Sequence, residues 1–303
     1  MAIVGRPIIF TDTVANVLAQ PAPIGAIAQV TSPPSNRNGE LVVFDGTTWN
    51  YMYKIPPTRP TDIASNIHFW DLTGVVSTRT TTQVSDEGLA NNGHDLTVYS
   101  GTITTASVGT KGKTGIAFQN GNTGQMENAN ARPWSGVNDG TLMAVVYNFS
   151  KISTTTLSHV MHMGGGSTRQ AFGIVYDANA FSADTWGVHR WSGNEPSVAD
   201  GGLIEGVNNQ LMVLFTRYDS SANTANFRAY VNKSPTANIN SSQTVAGGAI
   251  SVTYGDGVKV SSRVGGVNVE PGQFNGCAIA TFNAYVSDAD CDKLAGGAAT
   301  DYG

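Results

Sequence analysis

The stretch NNQLMVLFTRYDSSANTANFRAYVNK, residues 208–233, decides the fold. Residues 211–215 are an unbroken apolar run, too short for an ordinary helix, followed by alternating Thr216, Arg217 and Tyr218. The polar tract 219–226 interrupts it. Phe227, Ala229 and Val231 then alternate with Arg228, Tyr230 and Asn232, the period of two that marks a half-buried strand. A strand apolar on both faces turns into one that buries a single face, which predicts a hairpin inside a layered all-β domain. A hairpin alone is marginal in water, so the rest of the chain has to supply a second layer.

The chain of 303 residues is long enough for one large β domain plus a smaller module. Charged residues make up 13% of it, against an average of about 25%, which disfavours long helices with ion-paired outer faces. Seventeen Lys and Arg against 22 Asp and Glu give a net charge of −5 with no basic cluster, so phosphate-based nucleic-acid binding has no footprint. No apolar run approaches the ~20 residues of a membrane-spanning helix. The start, MAIVGRPIIF, lacks the regions of a signal peptide, and a chain made in a cytoplasm is expected. Cys277 and Cys291 are too few for a disulfide framework, and the expectation is two buried, reduced thiols.

The first 55 residues read as a small β-module. Residues 24–30 and 40–44 are strands around the turn signal Asn38-Gly39, DGTTW is a second turn, and WNYMYKI is a third strand. Residues 11–20 are compatible with one or two helical turns. The proline-rich residues 56–62 (PPTRPTD) predict a semi-rigid linker. Strand signals then recur from residue 66 to residue 286, dense enough for a sandwich or barrel spanning residues 63–303. One short helix is expected near the end: Ser287 caps DADCDKLA, Asp288 and Asp290 lie in its first turn, and Gly296-Gly297 is expected to stop it.

Two resemblances attach to these residues. Gly25, Val30-Thr31, Gly39, Leu41, Phe44-Asp45-Gly46 and Trp49 follow a pattern similar to that of small β-modules near the start of tailed-phage fibre and other virion proteins. Trp70-Asp71-Leu72, Asp86, Asn92-Gly93-His94-Asp95-Leu96-Thr97, Gly101 and residues 115–121 (GIAFQNG) resemble the opening of a concanavalin A-like lectin/glucanase domain of the laminin-G-like branch. The hairpin 211–233 resembles that family's central step, with Lys233 where the family has Gly. Gly265-Gly266, Phe274-Asn275-Gly276 and Ser287 to Leu294 resemble its close. The resemblance covers residues 66–296 and implies a jelly-roll β-sandwich.

The glucanases of that superfamily carry Glu-x-Asp-x-x-Glu or Glu-x-Asp-x-Glu on one strand, a motif this sequence lacks. Glu87, Glu127, Glu195 and Glu205 stand alone, whereas a retaining glycosidase needs two carboxyls about 5 Å apart. No catalytic residue is therefore expected. His159 and His162 in SHVMHM are separated by an odd number of positions, which on a regular strand sends them to opposite faces and argues against a shared metal ion. The family resemblance implies calcium at a sandwich rim, for which Asp139, Asp177 and Asp184 are the loop candidates; Asp in turns more often serves the backbone, and no cofactor is the first expectation. For a sugar site the candidates are Trp191 beside Asn194 and Glu195, a ring at a strand end with polar neighbours, and Trp134 in ARPWSG. Either Trp186 or Trp191 is expected to be core.

The resulting expectation is a non-enzymatic virion protein of a tailed phage, exposed on the particle surface after assembly in the host cytoplasm. Residues 1–55 would attach it to other virion proteins and hold it as a homotrimer, and the sandwich would bind a host-surface glycan as a tail fibre or receptor-binding protein. A capsid or tail decoration protein is the alternative in the same class. A laminin-G-like polysaccharide hydrolase is the alternative in another.

Overall fold

The computed structural model describes residues 9–12, 27–30, 41–44, 47, 49–53, 58–73, 82–89, 94–118, 124–131, 139–150, 157–164, 171–177, 185–192, 195–200, 210–244, 257–261 and 272–303. Four short strands come first: β1 (Ile9–Asp12), β2 (Ile27–Val30), β3 (Leu41–Phe44) and β4 (Trp49–Tyr53). They form a sheet in that order, β1 parallel to β2 and the other pairs antiparallel. The N-terminal module thus has four strands where three were expected. A parallel pair has no tight turn between its members, so no local signal announces β1. Residues 13–20 lie outside the described residues.

The chain continues through β5 (Asn66–Asp71), β6 (Gln83–Val84), β7 (Leu96–Ser100), β8 (Thr104–Val108), β9 (Lys113–Phe118) and β10 (Gln125–Asn128). The long β11 (Gly140–Ser150) follows, then β12 (Leu157–Gly164), β13 (Ala171–Asp177), β14 (Thr185–Ser192) and β15 (Glu195–Asp200). The hairpin is β16 (Leu211–Asp219) and β17 (Thr224–Val231). After it come β18 (Ile239–Thr244), β19 (Val258–Val260), β20 (Gln273–Phe282) and a helix, α1 (Asp288–Tyr302). Two antiparallel sheets make the sandwich. The first runs β18-β17-β16-β11-β20-β9-β8, with β5 also paired to β20, and the second runs β15-β14-β13-β12-β19-β10-β7-β6. The fold is an all-β sandwich with one α-helix among the described residues.

Why residues 211–215 are apolar at every position follows from what lies on each side. Met212 and Leu214 point between the sheets, into a core with Trp70, Phe118, Phe149, Met161, Ile174, Trp186 and Phe227. Leu211, Val213 and Phe215 point the other way, into a second core that α1 closes with Cys291, Leu294, Ala295, Ala298 and Tyr302. Strands β11 and β20 are buried on both faces in the same manner: Met143 and Val145, then Cys277, Ala278, Ala280 and Phe282, all join the helix side. Both cysteines are buried and unbridged, and burial pushes the Cys291 thiol up to about 12.

Strand β17 departs from the half-buried expectation. Its polar side chains are also covered, because α1 brings carboxylates to them. Arg228 donates to Asp288 at 2.8 Å and Asp292 at 2.7 Å, and its Nε donates to the Tyr230 hydroxyl at 2.5 Å. Arg217, 1% exposed, donates to Asn226 Oδ1 at 2.8 and 2.6 Å and to the Val286 carbonyl at 2.8 Å, and pairs with Asp288 at 2.6 Å. Burial pushes the Asp288 carboxyl up, but its hydrogen bond and charge pairing with Arg217, then Arg228, outweigh that and hold it below the usual carboxylate range.

The helix itself starts where expected, with the Ser287 side chain accepting from the Asp290 N–H. It does not stop at Gly296-Gly297 but runs through them to Tyr302. Glycine inside a helix costs roughly 1 kcal/mol against alanine, so its presence needs a cause. A Cβ on Gly297 would sit 2.0 Å from the Thr58 carbonyl oxygen. Only glycine lets the helix approach residues 58–59, where Arg59 lies 3.5 Å from Asp301. Lys233 has φ +65°, the left-handed conformation that glycine adopts without strain. No helix among the described residues is long and apolar enough to cross a membrane.

Candidate functional site

Helix α1 covers the first sheet, and among the described residues no helix covers the second. In β7, β10, β19, β12 and β13 the residues facing the core include Val98, Met126, Val260, Met161 and Ile174. Strand alternation turns their neighbours outward. The register lines these up as one row across the sheet: Thr97, Glu127, Lys259, His162 and Gly173, of which Thr97 and Glu127 reach solvent while Lys259, His162 and Gly173 are buried. Lys259 Nζ lies 3.3 Å from Glu127 Oε2 and 3.6 Å from the centre of the Tyr99 ring, itself on the surface. Gly173 is glycine because a Cβ there would meet His162 Cδ2 at 2.6 Å.

His159 stands against His162, ring centres 5.1 Å apart and edge to face. This corrects the expectation of opposite faces. The register of β12 on β13 jumps between His159 and Met161, and Val160 and Met161 both enter the core. The extra residue of this β-bulge restores the two histidines to one side.

Of the residues expected to hold a sugar or calcium, Trp191, Glu195, Asp177 and Asp139 are among the described residues. Trp191 pairs in register with Ala171 and Pro196, and Glu195 pairs with Ser192 to close the β14–β15 hairpin. Asn194, Trp134 and Asp184 lie outside the described residues. Asp177 ends β13, paired with Leu157 and Thr185. Asp139 accepts hydrogen bonds from the Ser220 N–H at 2.8 Å and hydroxyl at 2.5 Å, fastening the β16–β17 turn. Of the two tryptophans in β14, Trp186 is core. The sequence weighed Glu127 as an isolated carboxylate and His162 as a metal ligand, and missed Tyr99 and Lys259. The alternation in LTVYS, QMEN and VKV shows which side chains face outward, but not that three segments far apart in the chain are neighbours.

A second cluster lies where the two sheets meet. His68 of β5, Asp86 after β6 and His94 before β7 each offer a ligand atom, all within 4.8 Å of one another. Asp86 Oδ1 accepts from the N–H groups of Phe69 at 3.1 Å and Gly88 at 2.9 Å, which aims Oδ2 at His68 Nδ1, 2.5 Å away. The His68 ring stacks on Trp70 at 5.2 Å and meets His94 at 4.9 Å. The His94 carbonyl accepts from the Trp70 indole N–H at 2.9 Å. Burial, then proximity to His68, lowers the His94 pKa, which favours the neutral ring with a free lone pair. Nearby, partial burial and the charges of Asp71 and Asp86 raise the Glu87 carboxyl, opposed by Arg59.

No protein-family model matches the chain, and no curated protein matches it. Solved structures do share the fold. An arabinofuranosidase complexed with arabinofuranosyl-α-1,2-xylobiose aligns with a TM-score of 0.55 at 12% identity, covering 80% of this chain and 65% of that one. A Trypanosoma rangeli sialidase mutant displaying trans-sialidase activity aligns at 0.51 and 15% identity, over 77% of this chain and 33% of its own. The CBM40 of the Ruminococcus gnavus IT-sialidase bound to α2,3-sialyllactose gives 0.43 at 11% identity, over 64% of this chain and 96% of that one. The chain therefore spans about two thirds of the arabinofuranosidase and a third of the T. rangeli sialidase. At these identities the likeness to the arabinofuranosidase and the T. rangeli sialidase is one of fold alone.

Proposed function

We propose that the protein is a non-enzymatic component of a phage particle, a tail-fibre or receptor-binding protein whose sandwich binds a host-surface carbohydrate on the outer face of the second sheet. The observation that carries the binding part is the solvent-reaching end of the in-register row, Thr97 and Glu127, with the exposed Tyr99 ring beside it. A sugar presents hydroxyls and an apolar ring face. Glu127 accepts from hydroxyls, the Thr97 hydroxyl donates to or accepts from them, and Tyr99 offers an aromatic surface for the ring. Carbohydrate is the class named for the arabinofuranosidase neighbour. A shared fold does not transfer that ligand, so the row and not the likeness carries the reading. The phage part rests on the resemblance of residues 25–49 to virion modules and of residues 66–296 to concanavalin A-like laminin-G domains. Residues 1–55 are assigned to attachment and trimerisation, since four short strands bury too little to offset an ordering entropy on the order of 1–2 kcal/mol per residue.

A glycan array probed with the full chain is expected to give binding that Tyr99→Ala weakens at least tenfold, the equivalent of about 1.4 kcal/mol, while leaving the melting temperature within a few degrees of the parent. Binding equal in the two proteins would remove the sugar from this face. Light scattering of the full chain is expected to give the mass of three copies; a monomer would remove the assembly role from the N-terminal module.

A further inference from the structure

We propose that His68, Asp86 and His94 together bind one divalent transition-metal ion of the zinc class, clipping the first sheet to the second beside β5 and β6. This goes beyond the glycan reading and does not depend on it. The donors come from three chain segments that belong to different layers: His68 from a strand paired to β20, and Asp86 and His94 from the ends of two strands at the far edge of the other sheet.

Each donor is already held in place by other bonds. The two backbone N–H groups on Asp86 Oδ1 leave Oδ2 facing the imidazoles. Trp70 fixes both histidines, stacking on the ring of His68 and donating to the carbonyl of His94. Asp95 ties the loop down further, accepting from the Asp86 N–H at 3.0 Å and the Gln83 amide at 2.6 Å. Against this ordered background one atom is left over. The Nδ1 of His94 is buried and has no hydrogen-bond partner. Native interiors rarely leave such an atom unsatisfied, and an ion is one way to satisfy it.

The donor types select the ion. Two imidazoles and one carboxylate suit zinc and its first-row neighbours, whereas calcium and magnesium take oxygen ligands. Zinc bound by three protein groups is tetrahedral with water as the fourth ligand, and bond lengths of about 2.0–2.2 Å put the donor atoms about 3.3–3.6 Å apart. The ion would take the place of the hydrogen bond between His68 and Asp86, and small movements of the side chains would complete the shell.

The test uses the untagged full chain stripped with EDTA, titrated with zinc chloride alone and followed by calorimetry and by metal analysis after gel filtration. One zinc per chain is expected, together with a rise in melting temperature. Cobalt(II) is expected to give the visible absorption of a four-coordinate ion. His94→Ala removes a part-buried ligand, so it is expected to melt close to the stripped parent yet bind zinc at least tenfold more weakly. A parent chain that takes up no zinc, or a folded His94→Ala protein that binds it as tightly as the parent, would overturn the assignment. Loss of uptake on changing His159 or His162 instead would also overturn it.

Discussion

Removal of residues 287–303 is expected to leave a chain with no cooperative unfolding transition. Helix α1 is the outer wall of a core that contains Phe69, Met143, Val145, Leu211, Val213, Phe215, Tyr230 and Phe282. Burying one side chain of this kind contributes about 1.5–3 kcal/mol. Returning several to water exceeds the roughly 5–15 kcal/mol by which a domain is stable. The loss is compounded at Arg217 and Arg228, whose charges would lose Asp288 and Asp292, and Arg217 would also lose the Val286 carbonyl next to the cut. Circular dichroism on heating decides it. A sharp transition near the parent's melting temperature would show that the helix is an accessory and that the double-sided burial of β16 has another cause.

Trp186→Ala is expected to lower the unfolding free energy by about 4 kcal/mol, within the ~3–5 kcal/mol of large aromatic truncations in a core. Trp186 is fully buried and touches rings from both sheets. Phe149 of β11 lies at 4.5 Å, Tyr176 of β13 at 5.2 Å, and Phe227 of β17 is stacked at 6.3 Å. Its loss opens a cavity at the join of the two layers instead of at an edge that can collapse. In urea the midpoint should fall with the slope unchanged, since the same surface is exposed on unfolding. A change under about 1 kcal/mol would mean that this ring does not stand at the centre of the sandwich.

What could be read from the sequence was local. The hairpin 211–231 is written in an apolar run, a polar Ser- and Asn-rich turn and a period-two pattern, the start of α1 in one serine, and the core role of a β14 tryptophan in its alternation. What could not be read depended on partners distant in the chain. Arg228 and Tyr230 look like a solvent face until Asp292, more than sixty residues on, is known to lie over them. The length of α1 was hidden because Gly296-Gly297 carries the signal of a helix end, and the close approach of Thr58 that requires Gly297 has no sequence signature. His159 and His162 were misread because a bulge adds a residue without changing composition. The two candidate sites have the same character. Tyr99, Glu127 and Lys259 meet only through strand register, and His68, Asp86 and His94 only through the edge where the sheets close.

Binding of a carbohydrate without cleaving it is the central claim, and one measurement addresses it most directly. The full chain is incubated with the polysaccharide carrying the glycan selected on the array, and bound protein and newly formed reducing ends are followed together. Protein retained on the polysaccharide, with reducing ends no higher than in the protein-free control, is the predicted result. Reducing ends that rise in proportion to the protein, and that disappear with Glu127→Gln or with Glu87→Gln, would contradict it and make the protein a hydrolase.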